Sequence, residues 1–434
     1  MYYYSTANKS HKANFKEATI AGQAPDKGLY FPVEIPKWNE TFIKNIRQLS
    51  KAEIGYEILA PYVGESIQKY DLLKIIEDTL SFDIPLKQIN DTIFCLELFH
   101  GPTLAFKDLG ARFLSRCLGH FASSIGKKIT VLVATSGDTG GAVADAFHSV
   151  VGTEVIILYP SGKVSPVQEK QLTTFGDNIY ALEVKGDFDD CQRLVKEVFS
   201  DKEMNERLFL TSANSINISR WLSQQIYYAL AMAQWEEQNP PVIAVPSGNL
   251  GNICAGLLAN LSGLGSKHFI AACNRNDVFT RYLTTGNYVP IPSQATISNA
   301  MDVGDPSNFI RILEMFNYDI KELKKHISSV SYDDISTQHT IATVYNQHHY
   351  LLDPHTAVAF QSLDAWIHAH PNDKGIILGT AHPVKFASVV EQITGSTVEL
   401  PPQVASIMDK EKKSILVEPT IKSIKETIIQ LADF

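Results

Sequence analysis

Short apolar runs rich in β-branched residues alternate with longer amphipathic stretches through the middle of the chain. This alternation is typical of parallel strands joined by crossover helices. After the first run, Leu109, Phe113 and Cys117 recur at helical spacing and predict a helix. The pattern therefore predicts an α/β fold with parallel sheets. The predicted strands are 93–99, 129–134, 155–159, 179–184, 242–245, 269–273 and, as the last one, 376–378.

The two ends of the chain depart from this pattern. Helical spacing at 42–49 and 72–80, after an opening punctuated by prolines, predicts a separate and mainly helical N-terminal domain over 1–85. The alternating region, 86–400, would form the core, in two subdomains. The charged and weakly periodic segment 401–434 predicts a C-terminal tail that packs on the outside as a helix.

Composition narrows the class of protein. The chain has 434 residues, and its 38 Lys+Arg against 47 Asp+Glu give a net charge of −9. Such a chain has no basic field for nucleic acid or an anionic membrane, so an anionic ligand must be held by local groups. Five scattered cysteines without CxxC spacing, and no signal-like or membrane-length apolar stretch, predict a cytoplasmic protein without a disulfide framework.

Two glycine-rich turns each follow a predicted strand and open a predicted helix, at 135–141 (TSGDTGG) and 246–252 (PSGNLGN). Free backbone N–H groups and the positive end of a helix dipole make such turns good anion sites. Neither turn has the GxxxxGK[ST] of a P-loop or the GxGxxG of a dinucleotide fold, which disfavours a nucleotide-binding oxidoreductase. Glycine is also common in any tight connection, so one such turn alone is equally compatible with a structural role.

One lysine, Lys107, stands at the start of a predicted helix in the segment HGPTLAFKD. The helix dipole and the apolar neighbours disfavour an ammonium there and favour the neutral, nucleophilic amine that Schiff-base chemistry requires. Taken alone, Lys107 is also compatible with a surface lysine that keeps its charged end in water.

These segments, in this order, resemble the fold-type II pyridoxal-phosphate enzymes, and within them the threonine synthase family. The resemblance covers nearly the whole chain and implies a tryptophan synthase β-like fold, with a cofactor cleft between two parallel-sheet subdomains and the family's N-terminal unit in front. Further matching segments are GLYFP (28–32), ILYPSGKVSPVQEKQ (157–171), NSINISR (214–220), SNAMDVGDPSN (298–308), DPHTAVA (353–359) and LGTAHPVKF (378–386).

The resemblance implies a site for pyridoxal 5'-phosphate. Lys107 would hold the cofactor covalently and act as the proton-transferring catalytic base. Thr380 would hydrogen-bond the pyridine nitrogen and leave it largely unprotonated. Backbone N–H groups would surround the cofactor phosphate, with the glycines allowing close approach, at Ser247, Gly248, Asn249, Leu250 and Gly251.

The resemblance also implies substrate contacts. Thr135, Ser136, Asp138 and Thr139 in the first turn would receive a carboxylate, and Asn217 and Arg220 a phosphate, with Lys163 and Arg193 as further candidates. Asp138 stands where many fold-type II enzymes carry an asparagine that contacts the cofactor's phenolic oxygen. Because an ionised aspartate would repel a phenolate, a second role is open, in which Asp138 caps the following helix.

The implied activity is that of a lyase that converts O-phospho-L-homoserine and water to L-threonine and phosphate in threonine biosynthesis. The alternative is another fold-type II lyase, either a serine/threonine dehydratase or a phospho-amino-acid phospholyase. The cations needed for a phosphate at Cγ and the N-terminal unit distinguish the two. The histidines between 339 and 370 lack metal-binding spacing, and no metal is predicted.

Overall fold

The N-terminal 85 residues form a small sheet and four helices in the structure, a computed structural model that describes residues 1–432. Strand β1 pairs antiparallel with both β2 and β3. The region that the sequence predicts as mainly helical thus also contains a three-stranded sheet. The elements are β1 (Tyr2–Ser5), β2 (Lys12–Asn14), α1 (Phe15–Ala21), β3 (Tyr30–Pro32), α2 (Glu40–Asn45), α3 (Lys51–Val63) and α4 (Lys69–Thr79).

The core alternates strands and helices, and the α/β prediction is confirmed. Its first half contains β4 (Leu86–Gln88), β5 (Ile93–Glu97), α5 (Lys107–Ile125), β6 (Ile129–Ala134), α6 (Asp138–Phe147), β7 (Thr153–Pro160), α7 (Pro166–Thr173), β8 (Ile179–Val184), α8 (Phe188–Ser200), α9 (Lys202–Arg207), β9 (Phe209–Ser212), α10 (Ile218–Ser223) and α11 (Gln225–Gln234). Its second half contains β10 (Val242–Pro246), α12 (Gly251–Ser262), β11 (His268–Cys273), α13 (Val278–Thr285), α14 (Phe309–Met315), α15 (Ile320–His326), β12 (Ile327–Ser331), α16 (Asp334–His348), α17 (Pro354–Ala369), β13 (Gly375–Gly379) and α18 (Ala387–Thr394).

The C-terminal segment differs from the predicted outer helix. It consists of α19 (Pro402–Met408), β14 (Ile415–Val417) and α20 (Ile421–Ala432). Strand β14 pairs parallel with β8, and Ile424 and Ile428 are fully buried against that sheet. The segment is therefore part of the core. Residues 376–378, predicted as the last strand, lie in β13, and β14 is a later strand. A strand of three residues is too short to show a period in the sequence. Residues 433 and 434 of the predicted tail lie outside the described residues.

The strands of the core form two sheets. The six-stranded sheet has the order β12-β11-β10-β13-β5-β4, with only the edge strand β4 antiparallel. The five-stranded sheet has the order β14-β8-β7-β6-β9, and all its strands are parallel. Because parallel strands end at one edge, the loops after β5, β13 and β10 begin side by side. Ligands of α/β proteins bind at such edges.

The N-terminal unit packs closely on the core. Tyr3, Phe15 and Tyr62 belong to the same hydrophobic cluster as Phe113 and Trp221. The two regions therefore share a continuous apolar interior, and the boundary at residue 85 stays a prediction.

The structure adds three observations on the predicted class of protein. None of the described helices combines the length and the apolar character needed to cross a bilayer. The five cysteines are buried and unpaired. No group of three or more His, Cys, Asp or Glu side chains within residues 1–432 is arranged to hold a metal ion.

Candidate active site

Lys107 is the first residue of α5, and its side chain is only 18% exposed. The residues before it lie beside the end of β13, because the Phe106 N–H donates to the Thr380 carbonyl at 2.9 Å. Burial lowers the pKa of Lys107. The alternative of a lysine with its charged end in bulk water is therefore wrong, and the amine lies where the loops after β5 and β13 meet.

Asp138 reaches this site from the turn after β6, in the five-stranded sheet. Its Oδ2 lies 3.8 Å from Lys107 Nζ, and its Oδ1 accepts from Lys385 Nζ at 2.8 Å and from Gln168 Nε2 at 2.9 Å. Burial acts to raise the pKa of Asp138, but Lys385 and Lys107 outweigh it and hold that pKa below its ordinary value. The contact places the ends of β6 and β5 on opposite sides of one cleft.

Asp138 does not cap the helix that it begins. The N-cap of α6 is Gly137, which has no side-chain cap bond. The capping role is therefore wrong, and the carboxylate forms an ion pair in place of it. The sequence does not indicate this, since Lys385 and Gln168 reach Asp138 only through the tertiary fold.

The turn after β10 contains unpaired N–H groups. In the described chain, the backbone N–H groups of 248–251 have no protein acceptor, and they lie just before or at the first residue of α12. Leu250 takes a left-handed φ of 58°, which turns the chain into that helix. Consecutive free donors at a helix N-terminus suit a phosphate group. These donors belong to Gly248, Asn249, Leu250 and Gly251.

Ser247 differs from its neighbours in this turn. Its N–H donates to the Ala272 carbonyl and its hydroxyl to the Val245 carbonyl, both at 2.8 Å. The structure thus leaves Ser247 no free donor for a phosphate, which corrects its predicted cofactor contact. It fixes the end of β10.

A segment that the sequence prediction did not assign supports the turn. Asn249 accepts from the Ser307 N–H at 2.6 Å, and Asn308 Nδ2 donates to the Asn249 carbonyl at 3.0 Å. A Cβ on Gly248 would lie 2.5 Å from Met301 Cα. Glycine at 248 is therefore required by this backbone contact. Met301, Ser307 and Asn308 all lie in the motif SNAMDVGDPSN, but their contacts with the turn are not visible in the sequence.

Thr380 presents a free hydroxyl. The residue is 6% exposed, and its hydroxyl forms no hydrogen bond with another of the described residues. Together with the Lys107 amine and the N–H groups of 248–251, this donor set fits pyridoxal phosphate, which has an aldehyde, a phosphate and a ring nitrogen to satisfy.

The first glycine turn is held by Thr135. The Thr135 hydroxyl accepts from the Gly137 and Gly140 N–H groups, both at 2.9 Å, so it shapes the turn and keeps its own O–H as a donor. The hydroxyls of Ser136 and Thr139, and the N–H groups of 136, 138 and 139, have no partner among residues 1–432. These groups can receive an anion.

Asn217 is not brought to the cleft with free polar atoms. It is fully buried and caps α10, with its Oδ1 accepting from the Ser219 N–H at 3.1 Å and its Nδ2 donating to the Thr19 carbonyl at 3.0 Å. The predicted phosphate contact of Asn217 is therefore corrected to a positioning role. Asparagine is a preferred N-cap for this reason.

The cationic candidates separate into one buried and two surface residues. Arg220 is 4% exposed and donates to the Ala213 carbonyl, while its Nε has no acceptor in the described structure. Burial lowers the pKa of Arg220 to about 10. Arg193 is exposed and pairs with Asp190 and Glu197 on its own helix, and Lys163 is exposed on a loop. Only Arg220 stays a candidate.

Comparisons with known proteins agree with this geometry. Residues 79–378 match the family described as pyridoxal-phosphate dependent enzyme, 2–80 match the threonine synthase N terminus, and 356–428 match the threonine synthase C-terminal family. Threonine synthase from Escherichia coli strain K12 is 43% identical over 408 residues, which cover 94% of each chain.

Two solved structures are similar over nearly their whole length. The crystal structure of threonine synthase from Escherichia coli has a TM-score of 0.93 and 41% identity, and covers 99% of this chain and 100% of its own. The PLP-bound threonine synthase from Brucella melitensis has a TM-score of 0.92 and 33% identity, with 100% and 99% covered.

The fold, the buried Lys107 and the turn 248–251 with its free N–H groups (the phosphate-type turn) thus define a pyridoxal-phosphate-dependent enzyme of fold type II. Within that class the chain belongs to the threonine synthase family.

Proposed function

We propose that the chain is a carbon–oxygen lyase that converts O-phospho-L-homoserine and water to L-threonine and phosphate. The observation that carries this is the buried Lys107 amine, whose Nζ lies 3.8 Å from Asp138 Oδ2. Two turns with unpaired N–H groups flank it. A substrate with a carboxylate at one end and a phosphate at the other needs anion sites beyond the one for the cofactor. The relatives named threonine synthase support the same reading.

Pyridoxal phosphate, when bound, withdraws electrons from the substrate's amino-bearing carbon and makes its hydrogen acidic. The N–H groups of 248–251 would hold the cofactor phosphate, and the Thr380 hydroxyl would face the ring nitrogen. The Lys107 amine would take the proton from Cα and return one there. Cβ loses a proton as phosphate leaves from Cγ; the hydroxyl of water then bonds to Cβ, and Cγ gains a proton.

The remaining residues would hold the substrate. Ser136, Thr139 and the N–H groups around them would receive the carboxylate, while Thr135 keeps the turn in shape. Arg220 would face the substrate phosphate, which is supported by its buried Nε without an acceptor. Asp138 would not touch the substrate carboxylate, because two carboxylates repel. Its charge is paired with that of Lys385.

The experiment is a product assay on the purified chain with pyridoxal phosphate and O-phospho-L-homoserine. Phosphate and L-threonine should appear in equal amounts, and the Lys107→Ala variant should form neither. A 2-oxo acid in place of threonine, or ready deamination of added L-threonine, would indicate the dehydratase alternative and contradict the proposal.

The proposal includes a cytoplasmic location and a division at residue 85. Five buried, unpaired cysteines are typical of proteins kept under reducing conditions. The separate small sheet of β1, β2 and β3 supports a distinct unit over 1–85, next to a two-sheet core that also includes β14.

A further inference from the structure

Lys385 is a fully buried lysine in the segment LGTAHPVKF, and its role does not follow from the sequence. It lies in the short turn Pro383–Phe386 that follows Thr380, with a side-chain exposure of 0%. Its Nζ has three partners at 2.8 Å, namely Asp138 Oδ1, the Thr103 carbonyl and Gln171 Oε1. An ammonium held by three oxygen atoms inside the protein has one fixed position.

Asp138 lies between two cations, Lys385 and Lys107, and each of them faces a different carboxylate oxygen. Oδ1 is occupied by Lys385 and Gln168, and only Oδ2 faces Lys107, at 3.8 Å. A charge-assisted hydrogen bond between an ammonium and a carboxylate spans about 2.7–2.9 Å. Lys107 is therefore near Asp138 but not hydrogen-bonded to it.

A buried carboxylate that had Lys107 as its only cation would hold that amine as an ammonium. Buried ions require a partner, and the Coulomb attraction in a dry site is strong. An ammonium can neither bind an aldehyde covalently nor accept a proton.

We propose that Lys385 is a positioning residue that occupies one oxygen of Asp138 and so keeps Lys107 out of a hydrogen-bonded ion pair, leaving its amine free to lose and gain a proton. This inference rests on the proposed role of Lys107. It also gives Asp138 a partner that cancels its charge, so the Asp138–Lys385 pair is neutral toward the cofactor.

The charges around Lys107 set the direction of each expected effect. Asp138 raises the pKa of Lys107, while Lys385 and Arg220 lower it. Lys385 itself is also faced by Asp108, whose carboxylate accepts from the Thr103 N–H at 2.9 Å. Removing Lys385 should therefore raise the pKa of Lys107, and removing the charge of Asp138 should lower it further.

The test measures cofactor uptake by the full-length chain stripped of cofactor. Pyridoxal phosphate is mixed with the protein between pH 6 and 10, and the rate of the visible absorbance change is recorded, because uptake requires the neutral Lys107 amine. In Lys385→Met the pH midpoint should rise by about one unit or more, with the plateau rate at high pH retained. In Asp138→Asn the midpoint should fall.

Two further variants complete the design. Asp138→Asn/Lys385→Met removes both charges, so its midpoint should lie between those of the single variants and its melting temperature should recover relative to Lys385→Met. Lys163→Met, which removes an exposed lysine, should leave the midpoint unchanged.

A plateau that falls at every pH while the midpoint stays fixed would mean that Lys385 is only structural, and would overturn the proposal. Should Lys385→Met not fold, Asp138→Asn and the double variant decide, and a wild-type midpoint in Asp138→Asn would overturn it. The measurement involves no substrate. If the midpoint moves as expected but no threonine forms, the proposed function alone is contradicted. If threonine forms but the midpoint does not move, this inference alone is contradicted.

Discussion

Replacing Thr380 with valine separates the stability of the protein from its affinity for the cofactor. The Thr380 hydroxyl has no partner within residues 1–432, whereas the Thr380 carbonyl accepts from the Phe106 N–H at 2.9 Å. Valine keeps the branched shape and this backbone bond, so the change removes the hydroxyl alone. Thr380→Ser keeps a hydroxyl and serves as the control.

The two expected effects differ in size. In the cofactor-free protein no internal hydrogen bond is lost, so the free energy of unfolding should change by less than about 0.5 kcal/mol. In the loaded protein one hydrogen bond to the ring nitrogen is lost, at about 0.5–1.5 kcal/mol. The apparent dissociation constant for pyridoxal phosphate should therefore rise by up to about tenfold.

Two measurements check this expectation. Urea unfolding of the cofactor-free chain gives the first free energy, and titration with pyridoxal phosphate, followed by its absorbance, gives the second. If Thr380→Val lowers the stability of the cofactor-free chain as much as it weakens cofactor binding, the hydroxyl bonds within the protein. If cofactor affinity is unchanged, the hydroxyl does not face the ring, and the site is wrong at this position.

Three other predictions test further parts of the site. Lys107→Ala should abolish turnover and the borohydride-fixed cofactor label together; a label mapped to another lysine would refute the assignment. Gly248→Ala should lower the free energy of unfolding by about 1–3 kcal/mol with or without cofactor, because its Cβ would meet the Met301 backbone at 2.5 Å. A Cβ on Gly251 would meet only side-chain atoms, the nearest at 3.3 Å, so Gly251→Ala should mainly weaken cofactor retention. Equal melting temperatures for the two cofactor-free variants would refute this. Burial raises the pKa of Asp108 from 3.8 to about 6, so the folded state binds a proton more tightly than the unfolded state does. The contribution of Asp108 to the free energy of unfolding should therefore fall as the pH rises from about 4 to 6. The difference in that free energy between wild type and Asp108→Asn, measured by urea unfolding, should change across this window, and a constant difference would contradict the prediction.

The sequence predicts those strands in which apolar residues predominate. Strand β6 (ITVLVA) is buried at every position, and its predicted bounds match the structure. Strands β9 (FLTS) and β12 (ISSVS) were missed because they are short, partly exposed and contain serine or threonine. Their strand conformation depends on pairing with β6 and β11, which is a long-range contact.

The same distinction holds in the site. Lys107 and the two glycine turns lie in motifs whose local geometry follows from a strand, a turn and a helix, so they could be predicted. The pairing of Asp138 with Lys385 joins residues far apart in the chain, and nothing local marks it. Asn217 was misassigned because an amide that caps a helix and an amide that binds a ligand have the same local sequence.

Three cationic side chains of this acidic protein are buried in its interior. The chain carries a net charge of −9, yet Lys385, Arg220 and Arg311 are all buried in the interior. Arg220 and Arg311 have no carboxylate partner within residues 1–432, and Arg311 donates to Asn308 Oδ1 at 2.8 Å, which connects it to the phosphate-type turn. Charges on the surface are screened by salt within about 10 Å, whereas buried charges are screened much less. Within residues 1–432, Arg220 and Arg311 are held by carbonyl and amide oxygens and not by carboxylates, so this acidic chain keeps two positive charges without a carboxylate partner in its interior.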